Sequence, residues 1–224
     1  MKGAVRVALE VSPKKAFATA VDWPGWSRSR KTPELALEAL AAYAVRYAPV
    51  AAEAGERLPI GAGADPGAAF EVVEETSGDG GTAFGVPSRV TDADRRRTTT
   101  ADAKRLLDLV AGAWSTFDRV AASAPAELRK GPRGGGRDRD KMIEHVLGAD
   151  AAYAREMGLR LPEPARGDRT AIEAMRAAML DLLGTPSDGS PIADRKWTVR
   201  YAAHRIAWHA LDHAWEMEDR SEPA

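Results

Sequence analysis

The stretch KWTVRYAAHRIAWHALDHAWEMEDR, residues 196–220, decides how the second half of this chain reads. Its helical pattern makes it one long helix. Two of the four histidines in the sequence, His209 and His213, fall within it four residues apart. On a helix that spacing puts both imidazoles on one face, one turn apart. It is a common way to present two nitrogen ligands to one metal ion, and an ordinary amphipathic helix can show it by chance. His204 lies about half a rotation away from His213. It is expected to face away from them, at the surface or at a domain interface.

Working outward from this helix, three more segments carry helical signals. They are TADAKRLLDLVAGAWSTFDRVAASAP (helix from about 101 to 123), KMIEHVLGADAAYAREMGL and RTAIEAMRAAMLDLLGT. Four helices of this length bury their apolar faces against one another as a four-helix bundle, here residues 101–224. His145 sits in the second of these helices. Bundles build metal sites from side chains that project inward on facing helices. His145 with His209 and His213 would give three protein ligands and leave positions open for water or substrate, the catalytic style of site.

Nearby residues have paired readings. Glu216, seven residues after His209, shares nearly its face and could orient a ligand imidazole, or could carry a solvent-facing charge or a salt bridge. For Asp212 a solvent-facing charge or a salt bridge is the expected role, and Glu218 and Asp219 complete a polar helix end. In the loop GPRGGGRDRD, glycine N–H groups with Arg133, Arg137 and Arg139 could hold a carboxylate or phosphate. The plainer reading is a flexible loop with Asp138 capping the following helix. Trp114, Trp197, Trp208 and Trp215 are expected to pack the core or a domain interface, although one could wall the pocket.

The first half differs in character. VRVALEV (residues 5–11) and AFATAVDW (16–23) read as a hairpin through SPKK. Thr32 is placed to cap a helix that has Pro33 at its first position. The helical run PELALEALAAYAVRYAPVAAEAG is expected to break or bend near Pro49. FEVVEET and TAFGVPS, joined by SGDGG, read as a second hairpin. The fold class is thus an α+β N-terminal domain (1–89), a polar linker (90–100) carrying Arg95, Arg96 and Arg97, and the all-α bundle.

Composition narrows the function. The chain has 224 residues, 44% of them hydrophobic, and a formal net charge of −1, so no general attraction to nucleic acid or anionic lipid is expected. It has no cysteine. Disulfides, thiolate metal sites and a cysteine nucleophile are excluded, and any thiol chemistry needs a thiol from the substrate side. No signal peptide or membrane-spanning run is read, so a cytoplasmic location is expected.

Two family resemblances follow from these residues. Residues from about 99 to 220, through KGPRGGGRDRDKMIEHVLGADAAYAREMGL and the last helix, resemble the DinB-like four-helix bundle proteins. That superfamily typically carries one metal-binding histidine on its second helix and an HxxxH on its fourth, matching His145, His209 and His213. The resemblance implies a divalent metal, zinc or nickel, and a thiol-dependent transferase or isomerase using a low-molecular-weight thiol cosubstrate such as mycothiol, although many members have no established activity. The first half, through FATAVDWPGW and TPELALEALAAY, is similar to HicB-like domains. It departs from HicB antitoxins in having no appended DNA-binding domain, which argues against a repressor. A metal-hydroxide hydrolase fits the same ligands, and a non-catalytic metal- or partner-binding scaffold is the alternative. The expected partners are a small-molecule substrate and a second copy of the chain in a homodimer.

Overall fold

The computed structural model describes residues 4–131 and 135–221. It is a mixed α/β protein: a four-stranded sheet in the N-terminal part is followed by helices. β1 (Val5–Val11) and β2 (Ala16–Ala20) form the expected hairpin, in register from Val7 opposite Ala20 to Val11 opposite Ala16. β3 (Ser27–Arg30) pairs antiparallel with β2, and β4 (Phe70–Ser77) pairs parallel with β1, giving the order β3-β2-β1-β4. Neither β3 nor the parallel pairing was visible in the sequence pattern. SRSR carries no apolar alternation, and β3 is held by the Trp23–Trp26 turn before it.

Alternation along β2 divides the two faces of the sheet. Ala16, Ala18 and Ala20 join the main core with Trp26 and Leu40. Phe17 instead meets Trp208 edge-on, with ring centroids 6.1 Å apart. The small alanines let α1 (Pro33–Ala42) lie close on the sheet. Thr32 caps α1 as expected, accepting from the Leu35 N–H. Trp26 stacks on Tyr47 and donates its indole N–H to the Leu40 carbonyl at 3.0 Å.

Two local expectations are corrected. The helical run breaks at Tyr43, not at Pro49, giving α1 and α2 (Ala44–Glu53) bent by 55°. Pro49 lies inside α2. Proline has no N–H to donate to the carbonyl of Val45, four residues back, and Val45 is exposed, where water can take the donor's place. The second hairpin does not form. After the short α3 (Pro66–Ala69) and β4, the sequence DGGT starts α4 (Gly80–Phe84). The Asp79 carboxylate accepts from Gly81 and Thr82, and the Thr82 hydroxyl accepts from the Asp79 N–H at 2.8 Å. This capping box uses the residues that were read as a turn.

The long helices are α5 (Thr100–Ser123), α6 (Arg139–Glu156), α7 (Arg169–Leu183) and α8 (Val199–Ser221). α8 packs on α5, α6 and α7. It also lies against the sheet side, where the turn at Gly25 (φ 90°) approaches so closely that a Cβ there would stand 2.8 Å from Leu211. A side chain at Gly25 would therefore be strained twice over, by its backbone and by α8. One continuous core runs from Val7 and Leu40 through Leu109 and Phe117 to Ile206 and Leu211. The 90–100 segment is tied into it: Asp94 is buried, and its carbonyl accepts from the Thr198 hydroxyl at 2.8 Å. Among the described residues no single helix is long and apolar enough to cross a membrane. α1 and α2 together reach that length, but they are bent and packed on the sheet and α5.

Candidate metal centre

His145 on α6 and His209 and His213 on α8 converge. One nitrogen from each lies within 4.8 Å of the others, close enough to hold a metal ion. Ring centroids are 5.1 Å apart for His145–His209, 4.8 Å for His145–His213 and 4.6 Å for His209–His213. α6 brings its histidine to this point because Met142, Val146, Ala151 and Ala154 hold it in the core. α8 is fixed by Ala210, Leu211 and Ala214, all fully buried.

The donor set suits a divalent ion. Burial, with the charges of His213 and Arg137 adding to it, pushes the His145 imidazole down to about 4. His209 is held well below its ordinary value, first by burial and then by His213, Arg205, His145 and Arg137. Both rings are therefore neutral at neutral pH, the form that binds metal. Nδ1 of His209 is buried with no hydrogen-bond partner. His213 Nδ1 stands 2.9 Å from Glu216 Oε2. A carboxylate only accepts, so Nδ1 is the donor to Glu216, and Nε2 is the nitrogen left to face a metal. The hydrogen bond from His213 is also the chief influence that lowers the Glu216 carboxyl, and Arg220 contacts its other oxygen at 2.9 Å. Glu216 thus contacts His213 and also forms a salt bridge, so both of its sequence readings meet in one residue.

The other flagged residues separate clearly. Asp212 pairs with Arg28 at 2.8 Å, and Glu218 and Asp219 each reach Arg46 at 2.8 Å. His204 faces the sheet, buried, with Nε2 3.1 Å from the Val21 carbonyl. Of the three arginines, the two in the described residues act in different places. Arg137 bears on the imidazoles by its charge. Arg139 is engaged elsewhere, by Asp140 at 2.9 Å and the Ala124 carbonyl at 3.1 Å. Arg133 lies outside the described residues. Asp138 occupies the cap position of α6 but does not cap it, because its carboxylate accepts from the Leu128 N–H and from Lys130. Of the tryptophans, Trp208 meets the sheet through Phe17, Trp215 meets Tyr43, Trp197 packs on Tyr153, and Trp114 lies under the Arg176 guanidinium.

Two contributors were not flagged from the sequence. Tyr153 presents itself edge-on to His209, with centroids 5.6 Å apart, and walls the centre on the α6 side. Arg205 helps keep His209 neutral. Arg205 stands four residues before His209, so the helical spacing used for His213 would have found it. The chain matches no family model, no curated protein and no solved structure.

Proposed function

We propose that this protein is a divalent-metal-dependent enzyme of the DinB-like type, a transferase or isomerase that uses a low-molecular-weight thiol of the mycothiol kind. The observation that carries the reading is the convergence of three imidazoles from two helices, with His213 oriented by Glu216. In this reading α5–α8 form the four-helix bundle and the sheet-containing part is its HicB-like companion. Zinc or nickel bound by His145, His209 and His213 would supply Lewis acidity, lowering the pKa of a thiol or water at its open positions.

The chain's own residues then have defined tasks. The three histidines bind through neutral nitrogens, and Glu216 fixes the ring of His213 and holds its Nδ1 proton. Arg137 offers positive charge to an anionic group of the cosubstrate or substrate. Tyr153 and the surrounding apolar packing limit water on the inner side. With no cysteine in the chain, the nucleophilic sulfur belongs to the cosubstrate. The partner is a small-molecule substrate, not nucleic acid or membrane, in keeping with a net charge of −1 and a cytoplasmic setting. A homodimer would cover the open edge of β4, where Val72 and Val73 are exposed.

The test is turnover of electrophilic substrates by zinc- or nickel-loaded protein with mycothiol, bacillithiol or glutathione. Thiol-dependent turnover that disappears in His209→Ala is expected. Stoichiometric metal binding with no thiol-dependent turnover would replace this reading with the non-catalytic scaffold.

A further inference from the structure

α5 and α6 both pack on α8 but hardly approach each other. Between them, at the end where α6 and α7 begin, lies an open groove of about 300 Å³. Its floor is apolar: Phe117 of α5, Ile172 of α7, and Ile143 and Leu147 of α6. Ile143 and Leu147 stand one turn apart on one side of α6. His145, midway between them in sequence, points to the other side, toward His209 and His213 on α8. The groove therefore shares α6 with the candidate metal centre but none of its ligands.

Above this floor, cations outnumber acids. Arg139, Arg166, Arg169 and Arg176 line the groove with only Asp118 and Asp140. Asp118 accepts both Nη groups of Arg176 at 2.8 and 3.2 Å, and Arg169 stands 3.8 Å from it. Asp140 is shared by Arg139 at 2.9 Å and Arg166 at 3.2 Å. At the rim, Glu173 pairs with Arg169 at 3.2 Å, and Glu144 divides between Lys141 at 2.8 Å and Arg166 at 4.0 Å. With the rim included, one positive charge is left over. Arg139 and Arg169 are also the first residues of α6 and α7, so the positive ends of two helix dipoles add to that excess. Arg176 is held fast, its side chain 11% exposed, whereas Arg166 and Arg169 are 44% and 69% exposed and free to turn toward an incoming anion.

We propose that this groove binds an amphipathic monocarboxylate of the medium-chain fatty acid class, with the carboxylate between Arg166 and Arg169 and the alkyl chain along Phe117, Ile143 and Leu147. A guanidinium fork matches a carboxylate in shape, a single excess charge suits a monoanion, and the apolar floor suits the chain. The volume is at the lower end for ligand sites and holds a molecule of about ten heavy atoms, such as octanoate. Because the groove is open and its two mobile arginines must be ordered, the affinity is modest, with Kd on the order of 0.1 mM. The site stands whether or not the histidine triad binds metal.

The experiment is calorimetric titration of sodium octanoate into the full-length protein, before and after chelation and at low and high sodium chloride. Saturable binding is expected with and without chelation, and it should weaken severalfold at high salt. Butanoate, four methylenes shorter, should bind at least about tenfold more weakly. 1-Octanol, which keeps the chain and loses the charge, should bind several times more weakly than octanoate. The double variant Arg166→Gln, Arg169→Gln should lose at least about fivefold. Ala122→Phe fills the groove from an exposed position on α5 and keeps every charge, and it should abolish binding; His209→Ala should leave binding unchanged. Should the double variant fail to fold, Ala122→Phe and the octanol comparison carry the test. The proposal is overturned by an absence of saturation, by octanol binding as tightly as octanoate, or by undiminished binding in either groove variant. Binding lost on chelation or in His209→Ala overturns it too, because the carboxylate would then sit at the triad.

Discussion

Asp150 on α6 is fully buried, and both its carboxylate oxygens lack hydrogen-bond partners. Around it, Trp114 Nε1 and Arg176 Nε are also buried and unpartnered. Burial pushes the Asp150 carboxyl up to about 7 from 3.8, and the nearby Arg176 charge and the polar indole edge of Trp114 only partly offset this. Between those two values the native chain holds a proton that the unfolded chain releases. The associated stability is complete below the unfolded value and is lost as pH rises through the folded one. At about 1.4 kcal/mol per pH unit, raising the pH from about 5.5 to beyond 7 removes about 2 kcal/mol. Asp150→Asn is a neutral isostere that cannot titrate. Urea unfolding of both proteins across that range is the assay. The difference in stability should move in favour of Asn by about 2 kcal/mol, a midpoint difference of about 1 M at ordinary slopes. Taking the difference cancels groups that titrate alike in both chains. A difference that stays flat with pH would refute the argument and show that Asp150 is solvated or paired.

Glu216→Gln should leave the fold intact and lower metal affinity about 10- to 100-fold, read by competition with a chromophoric chelator; unchanged affinity would remove Glu216 from the centre. Depressed imidazole values at His145 and His209 mean that stability of the metal-free protein falls as pH drops from the unfolded value of 6.5 toward about 4. The sign follows because the unfolded chain takes up the proton first. Replacing His145 with Gln should flatten part of that slope in acid unfolding curves, and an unaltered slope would count against a neutral ring. Tyr47 is fully buried and donates to the Pro24 carbonyl at 2.7 Å. Tyr47→Phe should cost about 1–2 kcal/mol in urea unfolding, and a neutral outcome would mean that the turn relaxes.

Legibility of the sequence tracked the kind of signal each element carries. The long helices were readable because their apolar spacing runs for four or more turns. Thr32-Pro33 marked a helix start through capping chemistry alone. SRSR and DGGT were not readable in the same way. The first is a strand because a turn and a neighbouring strand hold it, and the second starts a helix because Asp79 finds Thr82 rather than a hairpin partner. The parallel pairing of β4 with β1 depends on contacts more than fifty residues apart, which no local pattern encodes. At the candidate centre, spacing on one helix placed His209, His213 and Glu216, and their neighbour His145 came from the expectation that two helices face each other. Asp150 and the groove between α5 and α6 are properties of the packed whole, since burial and the spaces between helices exist only after folding.

The most direct measurement is elemental analysis of protein purified without a histidine tag, with His209→Ala and His213→Ala alongside. The account expects about one zinc or nickel per chain, lost in both variants. No metal after reconstitution with either ion, and unchanged stability in both variants, would contradict it and leave α8 a packed helix without a metal-binding role.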